Sequence, residues 1–464
     1  RAGRPPGPSL RWWGLPLLRA MRADYLGFTS DLQRQHGDVS FMRIGFESAV
    51  DLFDPALVRS VLVDQAEHLV RWERGIEVFE QLFGQSVLVT EGPTWQRQRR
   101  MLQPGFTPRR VAGYAGLMRE AAVGALDAAV PAGQGEALVA MDELFSRVAM
   151  DVIMRTLFSS QAPADASSAA AAVQVMSECA MREMFWPMTL PDWLPLPGKA
   201  AKRRALRDLR ELVGRHVRAR GAAGAQAPQD DLLAMLLSLR DEGSGAALTE
   251  QEVFDQCMVT FQAGHETSAT ALLWWSRLLA EHPQAAARAQ AEVDAALAGR
   301  APGPEDLPAL PWLTATLKEA MRLYPPVAAL MTRRTTQELE VGGWTLARGT
   351  LIRITPWVLQ RDPRSFERPD DFLPERFLPE AEAPPRGAWM PFGSGPRVCI
   401  GQHFAMLEMG LIAALLLQRY TLELPAGASA KPCKPVMNVT LRPEGGLRLL
   451  MRRRQGSACA PDHR

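Results

Sequence analysis

The spacing of apolar residues along the chain predicts a mainly helical protein. Between residues 402 and 420 the apolar positions recur at steps of three and four, which is typical of a helix with one buried face. They are Phe404, Leu407, Leu411, Ala414 and Leu415. A longer helix is predicted to begin at a capping box of Thr249 and Glu252 and to continue to about residue 281. Some 30 residues at 1.5 Å each give roughly 45 Å, enough to cross a domain of this size.

Two regions instead have the alternating pattern of β-strands. They cover about residues 39–53 and 338–355, and amphipathic segments rich in Ala, Leu and Arg stand between them. The predicted fold class is therefore mainly α with a smaller β region. We expect a proline-rich N-terminal segment at 1–37, a single domain at 38–450 and a disordered basic tail at 451–464.

Composition and charge narrow the class of protein. Hydrophobic residues make up 47% of the chain, enough for an extensive core, and the net charge of +2 implies no general attraction to nucleic acids or membranes. The five cysteines are scattered and form no C-x-x-C pair, which argues against a disulfide scaffold and a structural zinc site. This cysteine usage predicts a reducing, cytoplasmic location. No apolar run is long enough for a transmembrane helix, although peripheral membrane contact stays open.

The strongest chemical signal is the glycine-rich segment 391–401, directly before the helix that starts at 402. It contains Phe392, Gly395, Arg397, Cys399 and Gly401 in a pattern expected by chance in roughly one chain in 10⁴ of this length. A helix N-terminus is expected to lower the pKa of the thiol. A thiolate held in this way is the proximal ligand that a haem iron needs for splitting dioxygen. The alternative is a buried structural cysteine beside a turn.

The neighbours of this cysteine suit such a loop. Gly393 and Gly395 allow backbone angles that a residue with a Cβ would resist. Gly401 leaves room for a macrocycle, Phe392 can pack against the sulfur, and Arg397 is a permanent cation for a haem propionate.

At these residues the sequence resembles the cytochrome P-450 family of haem-thiolate monooxygenases, and abundant Ala, Arg and Pro favour a soluble bacterial member. The resemblance implies a long central helix over the haem and the cysteine loop beneath it. It also implies haem b with the Cys399 thiolate as axial ligand, and insertion of one atom of dioxygen into a hydrophobic substrate by hydroxylation or epoxidation. The alternatives are a haem-thiolate protein that only binds a ligand, or an isomerase or peroxygenase on the same fold.

A second motif, residues 261–267, lies in the middle of the long predicted helix. Ala263, Gly264, Glu266 and Thr267 match the oxygen groove of the family one by one. A threonine can bond back to the carbonyl four residues earlier and open the helix. The resemblance implies that Thr267 holds the water that delivers protons and that Glu266 relays protons towards it. An ordinary helix with one unfavourable glycine is the alternative.

Two other motifs fail. The pair His265-Glu266 lacks the second histidine of a zinc motif, because position 269 is alanine, and residues 393–398 lack the third glycine of a dinucleotide fingerprint.

A possible charge network follows on a later helix. Glu319 and Arg322 lie on one helical face, before the stop at Pro325 and Pro326. The resemblance implies that Arg376 joins them in a buried triad near the thiolate loop. A lone Glu-x-x-Arg pair more often marks a solvated face.

A further set of residues is implied to hold the haem propionates. Trp95 and Arg99 lie four apart on one helical face, and the resemblance implies that they clamp the porphyrin together with Arg397. Arg333 matches a further ligand, although Arg334 is adjacent. Core packing for the tryptophan and a solvated face for the arginines are the alternatives.

The partners are expected to be few. No flavin or iron–sulfur domain is visible, so electrons are expected from a ferredoxin or flavodoxin with its reductase. Arg97, Arg100, Arg109 and Arg110 are hypothesised to steer this acidic donor, although exposed basic clusters also serve solubility. We expect a monomer without nucleic acid.

The resemblance also places a substrate pocket among apolar residues from separated segments. This lining favours a hydrophobic substrate such as a fatty acid, a terpenoid or a macrolide-like scaffold. The residues are Phe83, Val87, Leu88, Phe261, Val327, Ala328, Ala329, Leu330 and Met437. The loop at 187–199 and its aromatic neighbours are expected at the access mouth, where they contact a membrane or close the entrance.

Overall fold

The computed structural model describes most of the chain, and its architecture is mainly helical with small β-sheets. The described residues are 3–9, 11–161, 163–186, 188–223, 231–241, 243–329, 331–427 and 433–454. Their α-helices are Leu15–Ala23 (α1), Tyr25–His36 (α2), Pro55–Arg59 (α3), Glu73–Phe83 (α4), Gly92–Leu102 (α5), Pro108–Ala112 (α6), Ala115–Ala129 (α7), Met141–Phe158 (α8), Pro163–Met184 (α9), Lys199–Ala223 (α10), Leu232–Ser238 (α11), Glu250–Glu281 (α12), Pro283–Leu297 (α13), Pro311–Leu323 (α14), Pro356–Leu359 (α15) and Gln402–Arg419 (α16). The predicted fold class is confirmed.

The strands form one larger sheet and three small ones. They are Val39–Ile44 (β1), Glu47–Leu52 (β2), Leu69–Arg71 (β3), Glu136–Ala140 (β4), Met331–Thr335 (β5), Leu339–Val341 (β6), Trp344–Leu346 (β7), Leu351–Ile354 (β8), Tyr420–Glu423 (β9), Pro435–Met437 (β10), Leu441–Pro443 (β11) and Arg448–Arg453 (β12). The sheet orders are β1-β2-β8-β5-β3, β4-β12-β9, β6-β7 and β10-β11. The pairs are antiparallel except β2 with β8, which is parallel.

The long helix α12 is the central helix of the fold, and several other helices pack against it. Its start is the predicted capping box, since Thr249 Oγ1 accepts from the Glu252 N–H at 3.2 Å and Glu252 Oε2 accepts from the Thr249 N–H at 2.9 Å. It packs against α8, α14 and α16, and Trp274 and Trp275 on it are almost wholly buried. Such a fully packed helix gains its stability from tertiary burial rather than from helix propensity.

The larger sheet joins strands from residues 39–71 to strands from residues 331–354. The parallel register places Asp51 of β2 opposite Arg353 of β8, and Arg353 Nη2 donates to Asp51 Oδ2 at 2.7 Å. Both side chains are buried, so either one without the other would be an uncompensated charge.

The predicted C-terminal tail is wrong for its first residues. Met451 and its two following neighbours complete β12, in which Leu449 and Met451 are buried in the core and alternate with residues that are less buried. Arg454 is also anchored, by Nη1 donation to Asp294 Oδ1 at 2.9 Å. Residues 455–464 lie outside the described part of the chain.

The N-terminal segment contains more regular structure than its proline content suggests. Within 1–37 the structure has α1 and α2, and α2 contacts β1 and α15. Among the described residues, no helix is both long and apolar enough to span a membrane.

Candidate active site

The loop around Cys399 closes on itself immediately before α16. The Cys399 N–H donates to the Phe392 carbonyl at 2.8 Å. Gly393 and Gly395 have φ values of 78° and 73°, so both adopt the left-handed region that the sequence predicts for them. At Gly395 a Cβ would lie 2.0 Å from the Leu62 carbonyl oxygen, which makes glycine obligatory for a second reason. The conformation of the loop is therefore set by its own glycine backbone and by the close approach of the backbone at Leu62.

The Cys399 thiol does not have the lowered pKa that its place before a helix predicts. Burial among surrounding protein atoms raises its pKa, and the Gly401 N–H and the Arg99 guanidinium oppose this only in part. The side chain is nevertheless exposed on one side. A Cβ at Gly401 would meet only Cys399 Sγ, at 4.0 Å, so the protein itself does not require glycine there. The sulfur and Gly401 thus face the same open space, which suits a flat ligand bound through sulfur.

The distal motif presents a short accessible strip on an otherwise buried helix. Ala263 is exposed and Gly264 and Thr267 are half-buried, whereas their neighbours Phe261 and Ser268 are buried. Thr267 Oγ1 donates to the Ala263 carbonyl at 3.0 Å, which is the predicted back-bond. The helix stays continuous across this point, so the expected opening is wrong. The hydroxyl is instead held at the edge of an intact helix.

Gly264 also has a packing role. A Cβ there would lie 2.7 Å from Ile153 Cδ1 on α8. Glycine at this position lets α8 and α12 approach each other closely.

Glu266 points away from Thr267, into a network with other elements. Its Oε1 accepts from Thr440 Oγ1 at 2.7 Å and from Arg442 Nη2 at 3.2 Å, and its Oε2 accepts from Ser177 Oγ. The carboxylate thus joins α9 and the β10–β11 hairpin to α12. Sequence reasoning found Glu266 but missed these three partners, which lie far away in the chain.

Four arginines interact in a cluster that reaches Cys399 through Arg99, and one of them was missed from the sequence. Arg71 of β3 pairs with Arg333 of β5 in the sheet register. Burial, with smaller contributions from the charges of Arg333 and Arg397, lowers the pKa of Arg71 to about 10. Burial likewise lowers the pKa of Arg99, whose charge interacts with Cys399. Because Arg71 belongs to no helical motif, only its strand partner could have indicated it.

One carboxylate, Glu91, belongs to this arginine cluster. Its Oε2 lies 2.8 Å from Arg397 Nη2. Burial lowers the pKa of Arg333, and the negative charge of Glu91 acts in the opposite direction. Among the residues that the structure describes, Glu91 thus interacts with three of the four guanidinium groups, those of Arg71, Arg333 and Arg397. This excess of partly desolvated positive charge suits a ligand that carries carboxylates of its own.

Trp95 is placed beneath the cluster rather than in the core. The Arg397 guanidinium carbon lies 4.0 Å from the centroid of the Trp95 ring, a cation–π contact. Arg397 Nη2 also donates to the Thr90 carbonyl at 2.9 Å. The arrangement fixes the direction of Arg397 and ties the segment before α5 to the cysteine loop.

The register of the Arg333-Arg334 pair is resolved by the strand. Arg334 Nε donates to Glu73 Oε2 at 2.7 Å, and its Nη1 donates to Glu47 Oε2 at 3.1 Å. The charge of Arg334 is therefore balanced by two carboxylates at the protein surface. Arg333, on the opposite face of β5, lies beside Glu91 and Arg71.

The predicted charge triad is assembled in the core. Arg322 Nε donates to Glu319 Oε2 at 2.7 Å, and Arg376 Nε donates to Glu319 Oε1 at 3.4 Å. Arg322 Nη1 also donates to the Gln360 carbonyl at 2.8 Å, and Gln360 Oε1 accepts from the Met390 N–H at 2.8 Å. The network therefore reaches the residue just before the thiolate loop.

The proposed pocket residues fall into two groups. Phe83, Val87 and Leu88 join the main core cluster, whereas Ala328 and Met437 pack in a second cluster with Leu26 and Leu441. Val327 is half-buried and Ala329 is buried. Leu330 lies outside the described residues.

Phe261 is a correction to the pocket. Its side chain has no exposed surface, and its ring centroid lies 6.2 Å from that of Phe158 on α8. It is part of the packing between two helices, and it does not line open space.

The basic cluster predicted for a donor is partly neutralised. Arg97 forms an ion pair with Glu252, and Arg100 Nη2 lies 2.6 Å from Asp241 Oδ1. Arg110 Nε donates to Tyr114 Oη at 3.3 Å, and Arg109 is exposed. Two of the four charges are therefore balanced by acids, which weakens the steering hypothesis.

A metal site built from protein side chains alone is excluded for the described residues, where no three His, Cys, Asp or Glu side chains could hold an ion together. His265 is buried, and burial lowers its pKa to about 4, so it is neutral at pH 7.

Comparison with known proteins agrees with this geometry. The family model for Cytochrome P450 matches residues 5–451. Cyclooctatin synthase from Streptomyces melanosporofaciens is 35% identical over 457 residues, which cover 94% of this chain and 96% of that protein. Cyclooctat-9-en-7-ol 5-monooxygenase from the same organism is 34% identical over 391 residues, 83% of each chain. Pentalenene oxygenase from Streptomyces avermitilis is 32% identical over 413 residues, 88% of this chain and 89% of that protein.

The family match covers nearly the whole chain and includes both faces of the site. Family membership implies haem held by a cysteine thiolate, a hydrophobic substrate, dioxygen and a redox partner that supplies electrons. The chain belongs to the cytochrome P450 family and is a haem-thiolate monooxygenase.

Proposed function

We propose that Cys399 supplies the thiolate to haem b and that four arginines bind the two haem propionates. These arginines are Arg71, Arg99, Arg333 and Arg397. The support is their excess of positive charge over Glu91 and the accessible sulfur beside Gly401. Trp95 would hold the Arg397 guanidinium in place, and Phe392 would shield the sulfur. When bound, the haem supplies dioxygen activation and oxidation of the substrate at its iron.

We further propose that Thr267 and Glu266 deliver protons. The Thr267 hydroxyl stands on the accessible strip of α12 and can hold a water there, because its proton already bonds to Ala263 and its lone pairs stay available. Glu266 accepts from three donors on other elements. Its relay to Thr267 therefore requires that the carboxylate exchange one of these partners for water.

The substrate is proposed to be an unsaturated cyclic terpenoid or its alcohol, converted by hydroxylation or epoxidation. The observation that carries this proposal is the likeness to two oxygenases named for pentalenene and for cyclooctat-9-en-7-ol. The apolar residues proposed for the pocket, including Val87, Leu88 and Met437, are chemically suited to such a compound.

Titration with matched ligands tests the substrate class. An unsaturated cyclic terpenoid is expected to shift the Soret band of the ferric protein at concentrations about tenfold lower than a linear fatty acid of equal carbon number. The reason is that the proposed pocket is apolar, and we assign no arginine among the described residues to the binding of a fatty-acid carboxylate. Turnover with a donor system should add one oxygen atom to the terpenoid, read by mass spectrometry. Tighter binding of the fatty acid, with its product, would contradict the terpenoid assignment and leave the monooxygenase class intact.

Substitution of Thr267 tests the proton route. Thr267→Ala is expected to lower product formed per electron pair by about tenfold or more, while consumption of reductant continues and hydrogen peroxide accumulates. The reason is that alanine cannot hold the water beside Ala263. Thr267→Ser, which keeps the hydroxyl, is the matched control and should stay near the wild-type yield. Equal product yields in the alanine and serine variants would refute this role.

For electron supply we propose an acidic one-electron donor of the ferredoxin or flavodoxin type, acting on a monomer of this chain. The exposed Arg109 and the neighbouring Arg110 support a basic docking surface, whereas Arg97 and Arg100 contribute less because acids balance them.

A further inference from the structure

The short segment 84–91, between α4 and α5, is held by side chains of α12, α5 and the cysteine loop. It contains Val87 and Leu88, two of the residues proposed to line the substrate pocket. Connecting segments are usually among the more mobile parts of a protein, because few contacts fix their backbone. The hydrogen bonds of this segment therefore decide whether this wall of the proposed pocket is loose or fixed.

Two side chains of α12 bind the backbone of the segment. Gln256 Oε1 accepts from the Val87 N–H at 3.1 Å. One residue earlier, Asp255 Oδ2 accepts from the Gln85 N–H at 2.9 Å. Both side chains of α12 are buried, where a broken hydrogen bond is not readily replaced by one to water. The segment is thus fixed to the helix that carries Thr267.

The approach of the segment to α12 is close at Gly84, directly after α4. A Cβ at this position would lie 2.3 Å from Asp255 Oδ1, so a larger residue would have to displace the carboxylate. Gly84 also has a φ of 57°, in the left-handed region that favours glycine. The turn out of α4 is therefore adapted to this contact.

Arg397 of the cysteine loop binds the same segment from another direction. Its Nη2 bonds to the Thr90 carbonyl, as described above, and its Nη1 donates to the Val87 carbonyl at 3.5 Å. The second bond is long, so most of the restraint from Arg397 acts through Thr90. The guanidinium is itself stacked on Trp95 and paired with Glu91. Both polar backbone groups of Val87 are thus bound, the N–H by Gln256 and the carbonyl by an anchored arginine.

A third set of bonds closes the segment on itself. The N–H groups of Val89 and Thr90 donate to the Ser86 carbonyl at 2.8 and 2.9 Å. Gln98 of α5 joins the two ends, because its Nε2 donates to the Gln85 carbonyl at 2.9 Å and its Oε1 accepts from Thr90 Oγ1 at 2.8 Å. The backbone of the segment therefore has partners within itself and on three other parts of the protein.

The conformation fixed in this way presents two side chains and buries their neighbours. Ser86 and Val89 are buried, whereas Val87 and Leu88 are half-buried. Within this turn, Val87 and Leu88 are therefore the apolar side chains that stay available to a ligand.

We propose that Gln256 is a positioning residue, which holds Val87 and Leu88 as a rigid wall that selects ligands by shape. The proposal rests on the proposed function, because it takes these two residues as part of the pocket. Gln256 is chosen because it binds the Val87 N–H directly and is neutral, so its replacement leaves no buried charge. A wall that is fixed before binding lowers the conformational cost of binding a ligand that matches it.

Backbone hydrogen exchange of the holoprotein, followed by mass spectrometry, tests the restraint. Gln256→Met keeps the length of the side chain but removes the acceptor. Exchange in the peptide that spans 84–91 should become about tenfold faster, because the Val87 N–H loses its partner. Gln256→Glu retains an acceptor oxygen and should stay within about twofold of the wild type. If Gln256→Met does not fold, Gln256→Asn, whose shorter amide cannot reach the Val87 N–H, supplies the same comparison.

Gln418→Met is the matched control. Gln418 is buried, and its Nε2 donates to the Arg300 carbonyl at 2.9 Å. Its Oε1 has no partner among the described residues, just as the Nε2 of Gln256 has none. The variant therefore loses one bond from a buried amide to the backbone, but at the far end of α16. Exchange in 84–91 should be unchanged in this control.

Azole binding to the ferric holoprotein tests the effect on the pocket. Imidazole is small, whereas 4-phenylimidazole carries an additional ring into the space beside the iron. Gln256→Met should weaken binding of 4-phenylimidazole about fivefold, read from the Soret shift, and change the Kd of imidazole by less than about twofold. Gln256→Glu and Gln418→Met should bind both azoles as the wild type does.

Three results would overturn the proposal: unchanged exchange in Gln256→Met, an unchanged Kd of 4-phenylimidazole despite faster exchange, or equal weakening of both azoles. The last result would show a general loss of the haem site rather than a displaced wall. Neither measurement uses a terpenoid. Failure of terpenoids to bind would therefore count against the proposed substrate class and leave the role of Gln256 standing.

Discussion

Replacement of Cys399 by serine is expected to lower monooxygenase turnover at least about a thousandfold without unfolding the protein, because serine cannot supply the electron-rich sulfur ligand. The loop should survive, since its closing bond uses the backbone N–H of residue 399 and its glycine angles are unchanged. The measurement is the spectrum of the reduced, carbon-monoxide-bound protein, in which the red-shifted thiolate band should be absent, together with product formation.

Cys433→Ser is the matched control for this experiment. Cys433 is a free, partly exposed cysteine that also titrates above its ordinary pKa because of burial. It lies outside the site, and its variant should keep both the red-shifted band and the turnover. A red-shifted band in Cys399→Ser would refute the assignment of the ligand.

Removal of Glu319 is expected to give protein that retains little haem and is destabilised by about 3–5 kcal/mol. Two guanidinium groups lose their carboxylate, and Arg322 is fully buried, so its charge stays without compensation. The disturbance reaches the thiolate loop through the Gln360 carbonyl and the bond from Met390 to the Gln360 side chain. Haem content after purification and urea unfolding measure the two effects.

Two further variants separate a buried network from a simple loss of charge. Asp31→Ala removes an exposed ion pair with Arg34, also three residues apart, and should cost less than about 1 kcal/mol. Glu319→Ala combined with Arg322→Met should recover part of the stability, because the uncompensated charge is gone. Normal haem loading in Glu319→Ala would disprove the link between the triad and the loop.

Local patterns along the chain predicted what depends on near neighbours. The capping box of α12, the back-bond of Thr267 and the positive φ angles of Gly393 and Gly395 follow from residues a few positions apart. The Glu319-Arg322 pair was also visible as helical spacing.

What the sequence could not predict depends on residues that meet only in the fold. Arg71 joins the cluster because β3 pairs with β5, and Glu266 turns away from Thr267 because Ser177, Thr440 and Arg442 converge on it. For Cys399, desolvation by surrounding atoms raises the pKa of the thiol more than the Gly401 N–H and the Arg99 charge lower it, and the identity of these atoms does not follow from a position before a helix. Phe261 was misplaced because a motif identifies a helix position but does not say which neighbour fills the space beside it.

The pairing of β2 with β8 has a consequence for synthesis of the protein. Asp51 and Arg353 are separated by 302 positions in the chain, so at about 5–20 residues per second the first strands wait roughly 15–60 s on the ribosome for their partner. During that interval the edge of β2 that later pairs with β8 is unpaired, and an unpaired strand edge is prone to aggregation. The cluster that joins Arg71 to Arg397 forms later still, so it can be completed only after synthesis of nearly the whole polypeptide.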